Sequence, residues 1–185
     1  KKRFVMNNVY FGEEYDNNQI KQSLIDNKLE YVEFDSRDDI YKNVSKMIAE
    51  GKVIGWFQGR FEWGPRSLGA RSIIADPRRN EMKNIVNTKI KFREPFRPFA
   101  PSILSENVHD YFELEEQDEY LTEQFMLRVA KIKENMREKI PAVDHFGTGR
   151  LQAVNKKSSP EYYRLIKSFY ELTGVPVIMN TSFNV

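Results

Sequence analysis

Three prolines spaced by three, Pro95, Pro98 and Pro101, interrupt the segment Lys89-Ile90-Lys91-Phe92-Arg93-Glu94-Pro95-Phe96-Arg97-Pro98-Phe99-Ala100-Pro101-Ser102 near the middle of this 185-residue chain. A proline inside a helix removes a backbone hydrogen bond, clashes with the preceding turn, and biases the residue before it toward extended backbone. The middle of the chain is therefore expected to leave helix and follow a stiff extended path. Side chains two apart on such a path share a face, so Lys91 and Arg93 are expected to aim at one point, with the phenylalanines turned inward. A cationic pair of that kind suits a phosphate-bearing anion. The plainer alternative is a rim of salt bridges with Glu94 and the acidic stretch that follows.

Charge is segregated in a way that the net value of +2 conceals. Residues 59–97 hold ten Lys or Arg against four acidic residues, whereas residues 106–123 hold eight acidic residues and neither Lys nor Arg. The first block can hold an anion and the second reads as a solvated face. A hydrophobic fraction of 40% and an aromatic fraction of 13% fit a globular domain, and one α/β domain over residues 1–185 is expected. No run approaches the roughly 18 apolar residues of a membrane helix, and no apolar stretch follows the basic start Lys1-Lys2-Arg3. The absence of cysteine removes disulfides, thiol catalysis and zinc–thiolate sites, and makes a cytoplasmic setting the expectation. With an opening residue other than methionine and an end just past an apolar strand, the chain reads as a piece of a longer protein.

Helical and strand-like patterns alternate at short spacing, which predicts an α/β fold. Asp16 can cap a helix to about Asp26 with Ile20, Leu24 and Ile25 inward, and residues 29–34 alternate as a half-buried strand. Asp38 can cap a second helix carrying Ile40, Val44, Met47 and Ile48 and closed by Gly51. Strands are expected at 53–57 and 72–75, then a helix from Asp76-Pro77 to about Thr88 with Met82, Ile85 and Val86 on one face. Further strands are expected at 102–104, 125–132 and 151–154. A last helix opens at Ser158-Ser159-Pro160-Glu161, turns Leu165, Ile166, Phe169 and Leu172 inward and ends at Gly174, before a strand at 175–179.

Three further motifs carry candidate chemistry. Between the strands at 53–57 and 72–75 lies Gln58-Gly59-Arg60-Phe61-Glu62-Trp63-Gly64-Pro65-Arg66-Ser67-Leu68-Gly69-Ala70-Arg71. Its glycines permit tight turns and close approach to a ligand, and its arginines offer paired donors to phosphate. It is not a Walker A loop, because no Gly-Lys-Ser/Thr ending is present. Asp144-His145-Phe146-Gly147-Thr148-Gly149-Arg150-Leu151-Gln152 delivers Arg150 and Gln152 to one side of the strand that follows. His145 is read as structural, and with only His109 besides it no metal site is expected. Asn180-Thr181-Ser182-Phe183-Asn184 offers small hydrogen-bonding groups at a strand end, a pattern that also marks ordinary turns.

Taken in order, these motifs resemble the C-terminal domain of the O-carbamoyltransferase family, from about Val9 to Val185. Gly149 stands where that family commonly has Ala, and Trp63 where Phe is commoner. The resemblance implies a YrdC/Sua5-like α/β fold, a twisted mixed β-sheet with flanking helices around a basic cavity. It implies a preceding Kae1-like domain that holds metal and nucleotide and completes transfer to a hydroxyl. This part would bind carbamoyl phosphate and ATP and form carbamoyl-adenylate. In YrdC-like proteins a Lys-x-Arg pair and a Ser-x-Asn pair line the cavity, and Lys91-Phe92-Arg93 and Ser182-Phe183-Asn184 match them. On that basis Lys91, Arg93 and Arg150 would stabilise charge growing on the phosphate oxygens, while Ser182 and Asn184 orient the phosphate or adenylate. Arg60, Arg66 and Arg71 would be secondary anion contacts, and Glu62 an arginine partner rather than a base. The alternative is a basic-cavity nucleic-acid-binding module, against which the near-neutral charge and the acidic block both count.

Overall fold

The computed structural model describes residues 5–115 and 120–183. A five-stranded sheet in the order β1-β2-β7-β3-β6 forms its centre, with β1 at Ile54–Phe57, β2 at Arg71–Ala75, β3 at Ala100–Leu104, β6 at Gln152–Val154 and β7 at Val177–Ser182. Only β3 and β6 run parallel; the other neighbours are antiparallel. A separate two-stranded ribbon pairs β4 (Ala130–Lys131) with β5 (Thr148–Gly149).

The helices that matter most for the core are α2 (Arg37–Ala49) and α6 (Pro160–Thr173), which pack side by side. Helix α6 forms where its signals predict: Pro160 needs no amide partner in the first turn, and Gly174 closes the helix at φ 73°. Its buried stripe is Tyr162, Leu165, Ile166 and Phe169, three or four residues apart, whereas Leu172 faces solvent. Helix α2 is capped by Ser36, whose hydroxyl accepts from the Asp39 amide at 3.2 Å, and not by Asp38. Asp38 sits instead in the first turn, where the helix dipole favours a carboxylate. Tyr41 and Ile48 of α2 are buried, while Met47 is exposed.

Several expectations are corrected. Helix α1 (Asn17–Asp26) has the predicted Asp16 cap, completed by Gln19 as a capping box, yet it buries no residue. Residues 29–34 form no strand, and Leu29, Tyr31 and Val32 are exposed. Their alternation needs a neighbouring edge, and none lies beside them among the described residues. Asp76 caps no helix: its buried carboxylate holds the Arg78 side chain at 2.7–3.2 Å and the Arg78 amide at 2.9 Å. Helix α3 accordingly starts only at Met82, runs to Ile85 and widens into a π-turn at Val86–Ile90. Of residues 125–132 only Ala130–Lys131 is strand, because Met126 takes φ 53° and breaks the run. Two short helices, α4 (Val108–Tyr111) and α5 (Glu134–Arg137), and 3₁₀ turns at Ser105–Asn107, Glu123–Phe125 and Pro141–Val143 lie in the remaining connections.

The proline-rich segment is not extended at Lys91–Arg93. Lys91 ends the π-turn in helical backbone, Phe92 adopts a left-handed φ of 48°, and the Arg93 amide returns to the Asn87 carbonyl at 3.0 Å. Phe92 and Phe96 consequently point to solvent, and only Phe99 is buried. Regular extension begins at Ala100. The final strand is also longer than its apolar pattern, so Asn180, Thr181 and Ser182 lie within β7 and not in a turn after it.

Candidate anion-binding site

The strand register brings the motif segments to one end of the sheet. Phe57 pairs with Arg71, Ser72 with Ser182, Ala100 with Asn180 and Ser102 with Gln152. The C-terminal ends of β1 and β7 therefore lie beside the N-terminal ends of β2, β3 and β6. Residues 58–70, 91–99, 149–151 and Phe183 all arrive there, across strand spacings of about 4.8 Å.

Lys91 is 3% exposed, and its ammonium donates to the Ser182 carbonyl at 2.8 Å and lies 3.5 Å from the Ser182 hydroxyl. Burial, reinforced by Arg93, holds Lys91 below the usual lysine range. Arg93 donates from Nε to Asn87 Oδ1 at 2.7 Å and lies over the Phe99 ring at 4.9 Å. Its guanidinium is pulled down by burial first and by Arg97 second, with Glu94 opposing. Arg150 is likewise pulled down, by burial first and by the charge of Arg66 second. Among the described residues no carboxylate pairs with either. Cations brought to one end of a sheet raise the local positive potential, which suits an anion.

Glu94, a candidate partner for these cations, pairs with Arg97 at 2.9 Å. In the acidic block, Glu113 pairs with Lys131 and Glu123 with Arg128. Arg71 spends its donors on its own loop, reaching the carbonyls of Gln58, Ala70 and Gly59 at 2.7–3.0 Å while stacked 3.5 Å over Phe57. Arg60 leans away, toward Glu14 and the Gly12 carbonyl, each at 3.5 Å. It lines a separate hollow of about 1260 Å³ with Tyr15, Tyr41, Trp56 and Glu161, which Lys91, Arg93 and Arg150 do not line. Asn184 lies outside the described residues. Among those described, no group of three His, Asp or Glu stands close enough to hold a metal ion, and no helix is long and apolar enough to cross a membrane.

A buried polar network beneath the loop escaped the sequence reading. Asn180 Nδ2 donates to the Ser67 carbonyl at 3.0 Å, the Ser102 hydroxyl at 3.1 Å and Gln152 Oε1 at 3.2 Å. Gln152 Nε2 in turn reaches the Leu68 carbonyl at 2.8 Å. Among the described residues Glu62 forms no salt bridge, although its charge acts on the Arg71 guanidinium; its Oε1 accepts backbone amides from Leu68 and Ala70 at 2.7 and 2.8 Å. The available signal was the polar residue set into otherwise apolar strands: Ser72, Ser102, Gln152 and Asn180 are all 2% exposed or less.

Residues 45–185 match the family described as Carbamoyltransferase C-terminus. The chain belongs to that family. It is 42% identical to nodulation protein NolO of Bradyrhizobium diazoefficiens over 95% of this chain and 32% of that protein. It is 44% identical to nodulation protein NolNO of Sinorhizobium fredii over 83% of this chain and 22% of that protein. The chain thus spans a third or less of these relatives. Its fold is similar to HypF of T. kodakarensis, with a TM-score of 0.53 and 16% identity over 77% of this chain and 17% of that one. It is also similar to P. abyssi Sua5 complexed with L-threonine, with a TM-score of 0.52 and 16% identity over 83% of this chain and 40% of that one. The mixed α/β architecture expected of a carbamoyltransferase C-terminal domain, YrdC-like in kind, is the one present.

Proposed function

We propose that this chain is the carbamoyl-activating part of an O-carbamoyltransferase, binding carbamoyl phosphate and ATP at the basic end of the sheet. The observation that carries this reading is the delivery of Lys91, Arg93, Arg66 and Arg150 by separate segments to the end where Ser182 closes β7. Membership of the carbamoyltransferase family supports it. So does the likeness in fold to a HypF structure described as phosphate- and nucleotide-bound, at a TM-score of 0.51 and 19% identity. In this reading water releases phosphate from carbamoyl phosphate. A carbamate oxygen then bonds to the α-phosphorus of ATP as the bond to pyrophosphate breaks. Charge grows on the phosphate oxygens, and cations fixed beforehand stabilise it without reorganising. Lys91, Arg93 and Arg150 take that role, and Ser182 and Asn184 orient the adenylate. A preceding Kae1-like domain would hold any catalytic metal and complete transfer to a hydroxyl.

Isothermal titration of carbamoyl phosphate and of ATP tests the assignment. The wild-type chain is expected to bind at least one of them, and Lys91→Ala to lose tenfold or more of that affinity. Equal binding by both proteins, or none by either, would overturn the site. The pH dependence adds an independent check. An anion held by Lys91 needs the ammonium form, and burial moves its deprotonation below the ordinary 10.5. Affinity should therefore fall as pH rises, with a midpoint under 10.5, and Lys91→Arg should flatten the decline because guanidinium stays charged. A profile identical in the two proteins would exclude Lys91 as the titrating contact. The exposed rings of Phe92 and Phe96 among these cations favour a second reading, nucleic-acid binding. Salt-sensitive RNA binding indifferent to carbamoyl phosphate would select it.

A further inference from the structure

The turn from Ser67 to Arg71 has every backbone group between the Ser67 carbonyl and the Arg71 amide engaged, although it belongs to no helix, and only Arg71 is strand. Glu62 Oε1 accepts from the amides of Leu68 at 2.7 Å, Ala70 at 2.8 Å and Arg71 at 3.4 Å. The Gly69 amide donates to Ser72 Oγ at 3.0 Å. The Ser67 carbonyl is held by Asn180 and the Leu68 carbonyl by Gln152 and by the Tyr10 hydroxyl, the last at 2.9 Å. Gln58 closes the set, its side chain on the Gly69 carbonyl at 2.8 Å and its amide on the Ala70 carbonyl at 3.0 Å.

Two features distinguish this from an ordinary satisfied turn. The central acceptor is a carboxylate only 9% exposed, and burying a carboxylate is costly where a neutral side chain can accept the same bonds. The clamps also come from the strands that carry the other site residues: Gln152 lies two residues past Arg150, and Asn180 two before Ser182. The turn therefore cannot shift without disturbing both. Arg66 opens it and Arg71 closes it.

We propose that Glu62 is a positioning residue of the anion site, fixing through three backbone amides the turn that follows Arg66 and so presents Arg66 to the ligand. This rests on the reading of the sheet end as an anion site. Glu62 touches no ligand; its charge and geometry act through the turn.

Inorganic pyrophosphate is the probe, titrated calorimetrically into the wild-type chain, Glu62→Gln, Arg66→Ala and the double variant, with amide exchange followed at Leu68, Ala70 and Arg71. Glu62→Gln should weaken pyrophosphate binding about tenfold and speed exchange at those three amides, since a neutral amide oxygen holds backbone donors less strongly than a carboxylate. In the Arg66→Ala background the same change should cost little more, because the group being positioned is gone. Loss of equal size in both backgrounds would mark a general effect on folding and overturn the proposal. Tyr10→Phe, which releases only one bond to the Leu68 carbonyl and one to Ser159, should weaken binding less but in the same direction, and it decides the matter if Glu62→Gln does not fold. Binding by the wild type that neither variant alters would overturn the positioning role and leave the anion site standing. No binding by the wild type would overturn the site and the positioning role together.

Discussion

Gly69→Ala is expected to be among the most damaging single substitutions in this chain, lowering the midpoint of thermal unfolding by roughly 10 °C. Two separate costs meet there. Gly69 has φ +98°, a backbone region that residues with a side chain adopt only under strain. A methyl group built at that position would also stand 2.1 Å from the Tyr162 ring, which is fully buried in α6 and cannot swing aside. Strain on the order of 1–2 kcal/mol and overpacking of about 1–3 kcal/mol then act on one residue. Calorimetry compares this variant with Gly59→Ala, where a methyl meets nothing within 4 Å and only the backbone cost applies. Similar melting temperatures for the two would show that the ring contact carries no weight.

The contrast between α6 and β7 shows what local pattern can and cannot reveal. Helix α6 was legible because its signals are all local: a proline in the first turn, a buried stripe at 162, 165, 166 and 169, and a glycine stop. Strand β7 was read three residues short, because Asn180, Thr181 and Ser182 look like a turn to any scheme that treats polar residues as solvated. They are in strand because Asn180 finds its partners in loop and strand residues 28 to 113 positions away. Residues 29–34 show the opposite error. Their alternation is genuine, but a strand needs an edge to pair with, and that depends on chain outside the segment.

The site divides along the same line. The cationic residues were named from motifs and resemblance, since charge and spacing are written in sequence. Which segments share one end of the sheet was not legible, because that follows from the order β1-β2-β7-β3-β6, which depends on pairings between distant segments. The proline-rich segment illustrates the difference: Lys91 and Arg93 are joined through a π-turn and a left-handed Phe92 and not along an extended chain. Glu62 reads as an arginine partner from the arginines around it in sequence; in the fold its charge acts on Arg71, while its hydrogen bonds go to backbone amides.

Asn180→Asp tests the polar hub under this loop with almost no change of shape, and its effect should invert the usual response to acid. Asn180 is 1% exposed and uses one amide nitrogen to donate to three acceptors, of which the Ser67 carbonyl can never donate in return. A carboxylate in its place turns that donor into an anion facing lone pairs, in a site without a cation bonded to it. Leaving a charge buried and unpaired costs about 3–5 kcal/mol, enough to remove much of a typical domain's stability at neutral pH. The sign of the pH dependence follows from linkage. Burial would raise the introduced carboxyl's pKa in the folded state above the unfolded value of about 3.9. The penalty is then full above the folded pKa, shrinks as pH falls through it, and is gone below the unfolded value. Denaturant unfolding of the two proteins between neutral and mildly acid pH should show the gap closing as pH drops, while the wild type does not gain in parallel. A gap that is constant across that range would mean that the introduced group is solvated, and that Asn180 does not serve as the sealed centre of the network holding the Ser67–Leu68 turn to the sheet.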